Sequence, residues 1–101
     1  MLVRIARFNT PPTDDRDWVI DALRPVPGVR AAYHAVDRET RAMLSISIYD
    51  DDAASEAALA AIRRAAEDRA HHGVPPDEIR LCEVVRFLDR TVDYAAQERQ
   101  G

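Results

Sequence analysis

The segment Met43–Tyr49 has the sharpest pattern in this chain, with Leu44, Ile46 and Ile48 alternating with Met43, Ser45, Ser47 and Tyr49. A strict period of two marks a strand with two unlike faces. Here one face is wholly aliphatic and the other is small, polar and aromatic. Burying a Leu or Ile side chain is worth roughly 1.5–3 kcal/mol, while a whole domain is stable by only about 5–15 kcal/mol. The aliphatic face therefore has to be covered, and the rest of the chain must supply the cover or recruit it.

The flanking segments set the order of elements. Leu2–Phe8 reads as a first strand, with Val3, Ile5 and Phe8 interleaved with arginines, and Asn9-Thr10-Pro11-Pro12 stops it because two prolines remove ladder donors. Thr13 or Asp14 can cap the next segment, where Asp14, Asp15 and Asp17 favour a helix start and Trp18, Val19, Ala22 and Leu23 form one stripe. Pro25 and Pro27-Gly28 end that helix. Val29–Val36 reads as a strand with Val29, Ala31, Tyr33 and Ala35 on one face and Arg30, Ala32, His34 and Val36 on the other. The polar tract Asp37–Arg41 makes a hairpin loop, and Ala42–Tyr49 returns. Asp50-Asp51-Asp52 closes the strand and offers a cap to a long alanine-rich helix over Ala53–His72. Its apolar stripe runs through Ala54, Ala58, Leu59, Ile62, Ala65, Ala66 and Arg69. After the turn Val74–Asp77, Glu78–Leu88 alternates as a last strand. This places one domain over residues 1–90 and a polar C-terminal tail over 91–101.

Strand, helix, strand, strand, helix, strand is the split βαβ, ferredoxin-like α+β arrangement, with four antiparallel strands and both helices on one face. Two helices cover only one face of a sheet. If Leu44, Ile46 and Ile48 point away from them, a second copy of the same sheet is the simplest cover, and a two-fold homodimer joined through the sheet face opposite the helices is expected.

Composition narrows the chemistry. Of the 101 residues 17 are alanine, which leaves a thin monomer core, and all 14 basic residues are arginine, so a Schiff-base or general-base lysine is excluded. The single Cys82 excludes an internal disulfide and a cysteine-rich metal site, and it reads as a small buried hydrophobe. A net charge of -4 argues against nucleic acid or an anionic membrane as partner. No apolar run approaches the roughly 18 residues of a membrane span, and the expected location is cytoplasmic. A ferredoxin-like RNA-binding domain would need an aromatic and basic sheet motif that is missing. The adjacent His71 and His72 point to different sides of a helix and read as helix-end partners. The Asp50–Asp52 run lacks the loop spacing of a hard-cation site, so no metal is expected. Arg4, Arg7, Arg30, Arg80 and Arg86 alternate on strands, where their stems cover apolar edges and their heads pair with carboxylates such as Glu83, the alternative being an anion-binding pocket.

The run Pro27-Gly28-Val29-Arg30-Ala31-Ala32-Tyr33, the hairpin Asp37-Arg38-Glu39-Thr40, Leu44–Asp50 leading into the long helix, and the closing Leu81-Cys82-Glu83-Val84-Val85 resemble the dimeric α+β barrel proteins of the antibiotic biosynthesis monooxygenase type. The resemblance spans roughly residues 1 to 88. It implies an eight-stranded barrel built by two subunits, with a pocket in each between sheet and helices. Its activities would be either cofactor-independent oxygenation of polycyclic phenols or quinols, or haem degradation. The family Trp at the end of the third strand is matched by Tyr49. The Asn and His of the haem-degrading set are not matched: Val3 stands at the first, and the middle of the long helix has no histidine.

By that resemblance Tyr49 faces the pocket, and Ser45, Ser47 and Met43 line the same wall. On the first strand Val3, Ile5, Arg7 and Asn9 are expected on the matching face. Ligand-binding candidates are Asn9, Ser45, Ser47 and Tyr49. Catalytic candidates are Tyr49, His34, whose imidazole can take a substrate proton at neutral pH, and Arg7. The serines also fit a plainer role, close packing against an alanine-rich helix. The expected protein is a homodimer that binds a small aromatic or lipophilic molecule and acts as a monooxygenase without metal, flavin or other cofactor. The alternative is a non-catalytic ligand-sensing or accessory dimerisation module, because fold alone does not settle activity.

Overall fold

The computed structural model describes residues 1–9, 17–68 and 75–88. The elements run β1 (Leu2–Phe8), α1 (Asp17–Leu23), β2 (Val29–Val36), β3 (Met43–Tyr49), α2 (Asp52–Asp68) and β4 (Glu78–Glu83). The strands form one antiparallel sheet in the order β2-β3-β1-β4. This is the expected α+β ferredoxin-like fold. The helix caps expected at Thr13 or Asp14, the residues His71 and His72, and the tail 91–101 lie outside the described residues.

Register decides which side chains share a face. Leu2, Arg4, Ala6 and Phe8 of β1 lie opposite Tyr49, Ser47, Ser45 and Met43 of β3. Leu2 packs with Tyr49 against the helices, and Ala6 and Phe8 are buried. The even positions of β1 are therefore on the helix side, and the expectation for Val3, Ile5, Arg7 and Asn9 is corrected. Val3, Ile5 and Arg7 lie opposite Ile48, Ile46 and Leu44, on the open side of the sheet. Both faces of β1 carry apolar residues, so its sequence alternation could not choose between them.

On β2 a register shift between Val29 and Ala31 makes Arg30 an extra residue. Val29 thereby joins Ala32 on the helix side, where both pack against the core, instead of sharing a face with Ala31, Tyr33 and Ala35. The displaced Arg30 reaches the carboxylate of Asp50.

The last strand is shorter than its alternation suggests. Glu83 lies opposite Leu2, and the Val84 N–H donates to the Met1 carbonyl at 2.9 Å. Residues 84–88 continue outside the ladder. Cys82 lies on β4 opposite Val3 and is exposed, not buried, because β4 is an edge strand whose open side no helix covers.

The core sits between the helices and one half of the sheet. α1 rests on β2, α2 rests on β2 and β3, and the two helices pack on each other. Trp18, Val19 and Leu23 of α1 and Ala54 and Ala58 of α2 enclose Tyr49. The cap of α2 is Asp51, whose Oδ1 accepts the Ala54 N–H at 2.9 Å and whose carbonyl accepts the Ser55 N–H at 3.2 Å. At the hairpin, the Asp37 carboxylate accepts the N–H groups of Glu39 and Thr40 at 2.8 and 3.0 Å. Arg41, with φ 65°, then turns the chain into β3.

Gly28 joins these layers. Its φ is +84°, a region that L side chains rarely adopt, and its carbonyl accepts the Asp50 N–H at 2.9 Å. A Cβ there would lie 2.7 Å from the Ala54 Cβ. Gly28→Ala should therefore lower the unfolding free energy by about 1–3 kcal/mol, from the left-handed backbone and the displaced helix together. A urea titration showing an unchanged midpoint would contradict this account of the contact.

Candidate functional site

Three of the residues singled out from the sequence come together. Ser45, Ser47 and Tyr49 follow one another on the helix side of β3. His34 of β2 lies opposite Ser45 on the same side and is half-buried. Ala32 lies opposite Ser47, so the neighbouring strand presents a small apolar surface beside the serine. Ser47 is buried and Tyr49 is fully enclosed, at 0% exposure.

The Tyr49 ring is enclosed by apolar partners, but its hydroxyl is buried with no hydrogen-bond partner among the described residues. Leaving such a group unsatisfied costs about 1–3 kcal/mol. Phe would fill the same space without that penalty, so the hydroxyl is the feature of this core that packing does not explain.

The other two candidates lie elsewhere. Asn9 follows the end of β1 that pairs with Met43, whereas Tyr49 pairs with Leu2 at the opposite end. At about 3.3 Å per residue the two are roughly 20 Å apart along the sheet, beyond the span of one small ligand. The Asn9 N–H donates to the Asp77 carboxylate at 2.7 Å, and the Asp77 N–H donates to the Arg7 carbonyl at 2.8 Å. Asn9 thus helps tie the end of β1 to the start of β4.

Arg7 is on the open side of the sheet. Its guanidinium lies 3.1 Å from Glu78, which also receives the Arg80 side chain. The hydrogen bond and charge of Arg80, followed by the charge of Arg7, hold the Glu78 carboxyl below its ordinary range. In the hairpin the Thr40 and then the Glu39 amides do the same for Asp37. Neither carboxylate is near Tyr49, and both remain charged at neutral pH.

Arg4, which the sequence offers only as one of five strand arginines, is set apart from the others by its face. It lies on the helix side of β1, between Ser47 on β3 and Leu81 on β4. The parity of Ala6 and Phe8 was the available signal, obscured by the equally apolar Val3 and Ile5.

Described residues line grooves on the helix side of the molecule. One of about 480 Å³ lies between the end of α1 and α2, lined by Ala22, Val26, Pro27, Ala57, Ala61 and Arg64 among others. Another, of about 220 Å³, lies where α1 meets β2, with Leu23, Val29 and Ala32 on its wall. Neither is lined by His34, Ser45, Ser47 or Tyr49. Among the described residues no cluster of three or more His, Cys, Asp or Glu side chains could hold a metal ion, and no helix is long and apolar enough to cross a membrane. The Asp50–Asp52 run is taken up by the Arg30 ion pair and the cap of α2.

Two helices on one face of a four-stranded antiparallel sheet ordered β2-β3-β1-β4 define a ferredoxin-like α+β domain. Within that class, the fold is shared with solved structures described as antibiotic biosynthesis monooxygenases and as a cofactor-independent oxygenase. A Chloroflexus aurantiacus protein described as a candidate antibiotic biosynthesis monooxygenase superposes with a TM-score of 0.61 at 20% identity, over 87% of this chain and 96% of that one. The monooxygenase ActVA-Orf6 of Streptomyces coelicolor, solved with the ligand nanaomycin D, gives 0.57 at 18% identity, over 87% and 90%. SnoaB, a cofactor-independent oxygenase from Streptomyces nogalater, gives 0.61 at 17% identity, over 86% and 95%. No protein-family model matches the sequence, and no curated protein is similar to it.

The orphaned hydroxyl makes Tyr49→Phe informative. Removing a buried polar group that lacks a partner should leave stability unchanged or raise it by up to about 1–3 kcal/mol in chemical denaturation. A loss of stability of that size would mean that the hydroxyl is already satisfied in solution.

Proposed function

We propose that this chain is a homodimer that binds a small aromatic or lipophilic molecule on the helix side of its sheet and oxygenates it without a cofactor. The observation that carries the ligand site is the buried Tyr49 hydroxyl without a partner, on the same side as Ser45, Ser47 and His34. A phenol or quinol oxygen is the kind of group that would complete it. The fold shared with a monooxygenase solved with nanaomycin D and with a cofactor-independent oxygenase supports this choice of ligand class.

In this reading Tyr49 and Ser47 orient the ligand, and His34 is the group that takes the phenolic proton. A deprotonated phenol is electron-rich enough to react with dioxygen directly. Oxidation of a phenol to a quinone balances without any other reductant. One oxygen atom becomes the new carbonyl, and the other leaves as water with the phenolic hydrogen and the displaced ring hydrogen. Arg7, paired with Glu78 on the other side of the sheet, has no part in this step.

The dimer rests on the open face. Val3 and Ile5 of β1 and Leu44, Ile46 and Ile48 of β3 form one aliphatic surface, with the half-exposed Tyr33 beside it, and neither helix lies on that side. A second copy of the same surface covers it by two-fold symmetry.

A second reading keeps the dimer and the ligand but has no reaction, as in a ligand-sensing or accessory module. The complete enclosure of Tyr49 favours it, since a group so enclosed is better suited to binding than to repeated exchange with substrate.

Light scattering at micromolar concentration should give twice the 11.4 kDa chain mass, and Ile46→Glu should give a folded monomer. A monomeric wild-type chain would refute the paired sheets. For the reaction, a panel of naphthols and anthracene-type quinols under oxygen should show oxygen uptake, abolished by His34→Ala and weakened at least tenfold by Tyr49→Phe. Binding without oxygen uptake would select the second reading, and no binding at all would remove both.

A further inference from the structure

The arginines of the strands divide into two kinds. Arg7 and Arg80 share Glu78, and Arg30 is held by Asp50, so each of these has its charge met by a carboxylate. Arg4 has no such partner among the described residues, and it is half-buried where the other three are exposed. A guanidinium drawn partly out of water is stabilised by a counter-charge, and it is the side chain best shaped to hold a carboxylate or phenolate by two parallel hydrogen bonds.

Its surroundings suit a ligand that is both apolar and anionic. On one side Arg4 lies directly opposite Ser47, one step along the sheet from the Leu2–Tyr49 pair. On the other it lies opposite Leu81, with Ile79 two residues away on the same side of β4. Leu81 and Ile79 are each 52% exposed, because the helices rest chiefly on β2 and β3 and leave β4 uncovered. An exposed aliphatic shelf therefore adjoins a half-buried cation, whose cross-strand neighbour on the other side is the buried Ser47.

We infer that Arg4 is the anion-recognising residue of the helix-side site, and that the ligand is an aromatic acid or an ionised phenol whose negative oxygen meets the Arg4 guanidinium while its apolar body lies on Leu81 and Ile79. This inference rests on the ligand-binding reading proposed above and names the charge of the ligand. It also gives β4, which contributes nothing to the core around Tyr49, a part in the site.

Two planar probes of nearly equal shape, 2-naphthoate and its neutral amide 2-naphthamide, separate the possibilities by isothermal titration of the wild-type protein and of Arg4→Gln and Arg4→Lys. The wild type should bind 2-naphthoate at least tenfold more tightly than 2-naphthamide, with the preference falling as salt is raised. Arg4→Gln should abolish the preference while leaving the 2-naphthamide affinity within about twofold, which shows that the site is still folded. Arg4→Lys should restore part of the preference, since lysine keeps the charge but not the fork geometry. Equal binding of both probes by the wild type overturns the role of Arg4 and leaves the ligand site standing. Equal loss of both probes in Arg4→Gln assigns Arg4 a structural role and overturns the inference. Failure of both probes to bind the wild type overturns the inference and the aromatic-ligand reading beneath it.

Discussion

The close packing of two helices over Tyr49 is the interaction on which the rest of this structure depends. A single aromatic side chain at the end of β3 supplies the centre of the core, and Trp18, Val19, Leu23, Ala54 and Ala58 close around it. Because the side chains of α2 at the contact are alanines and a serine, the helix can approach the sheet closely. Gly28 is the limiting case, with no space for a Cβ against Ala54, and it lies in a turn whose positive φ suits glycine. Aligning these small residues allows a thin core to bury its one large member completely.

That arrangement leaves the two sides of the sheet with different physics. The helix side is mixed: fully enclosed around Tyr49, polar along Ser45, Ser47 and His34, and open over β4. The other side is aliphatic at its centre, with charge placed at its margin, where Arg7 and Arg80 meet at Glu78. Apolar surface at the centre with polar groups at the rim is the pattern of a protein interface. A polar group enclosed without a partner calls for an explanation that packing does not supply. The pleat of the sheet keeps these two surfaces apart.

Much of the fold was legible in the sequence, for reasons that can be traced to particular residues. The strict alternation of Met43–Tyr49 identified β3 and both of its faces, and the prolines, Gly28 and the aspartates at 50–52 marked the ends of the helices. Where the alternation was ambiguous, reading failed. β1 is apolar at both parities, so its alternation puts Arg7 and Asn9 on the helix side and does not single out Arg4 from the other strand arginines. The extra residue at Arg30 is invisible to a period-two reading, and it reversed the side of Val29. The length of β4 is overstated by the alternation of residues 84–88, because a strand's extent is set by its pairing and the ladder with β1 closes at the Leu2–Glu83 pair.

The sequence by itself determined the order of the elements, the two unlike faces of β3 and the need to cover an aliphatic surface. These follow from local periodicity, turn chemistry and the cost of wet hydrocarbon, all of which act between residues near in the chain. Only the tertiary structure decided which parity of β1 faces the helices, that Asn9 and Tyr49 stand at opposite ends of the sheet, that Cys82 is exposed, and that Arg4, unlike Arg7, Arg30 and Arg80, meets no carboxylate among the described residues. Those are matters of register and of which layer covers which strand. They are set by pairing between segments distant in sequence, and no local pattern encodes them.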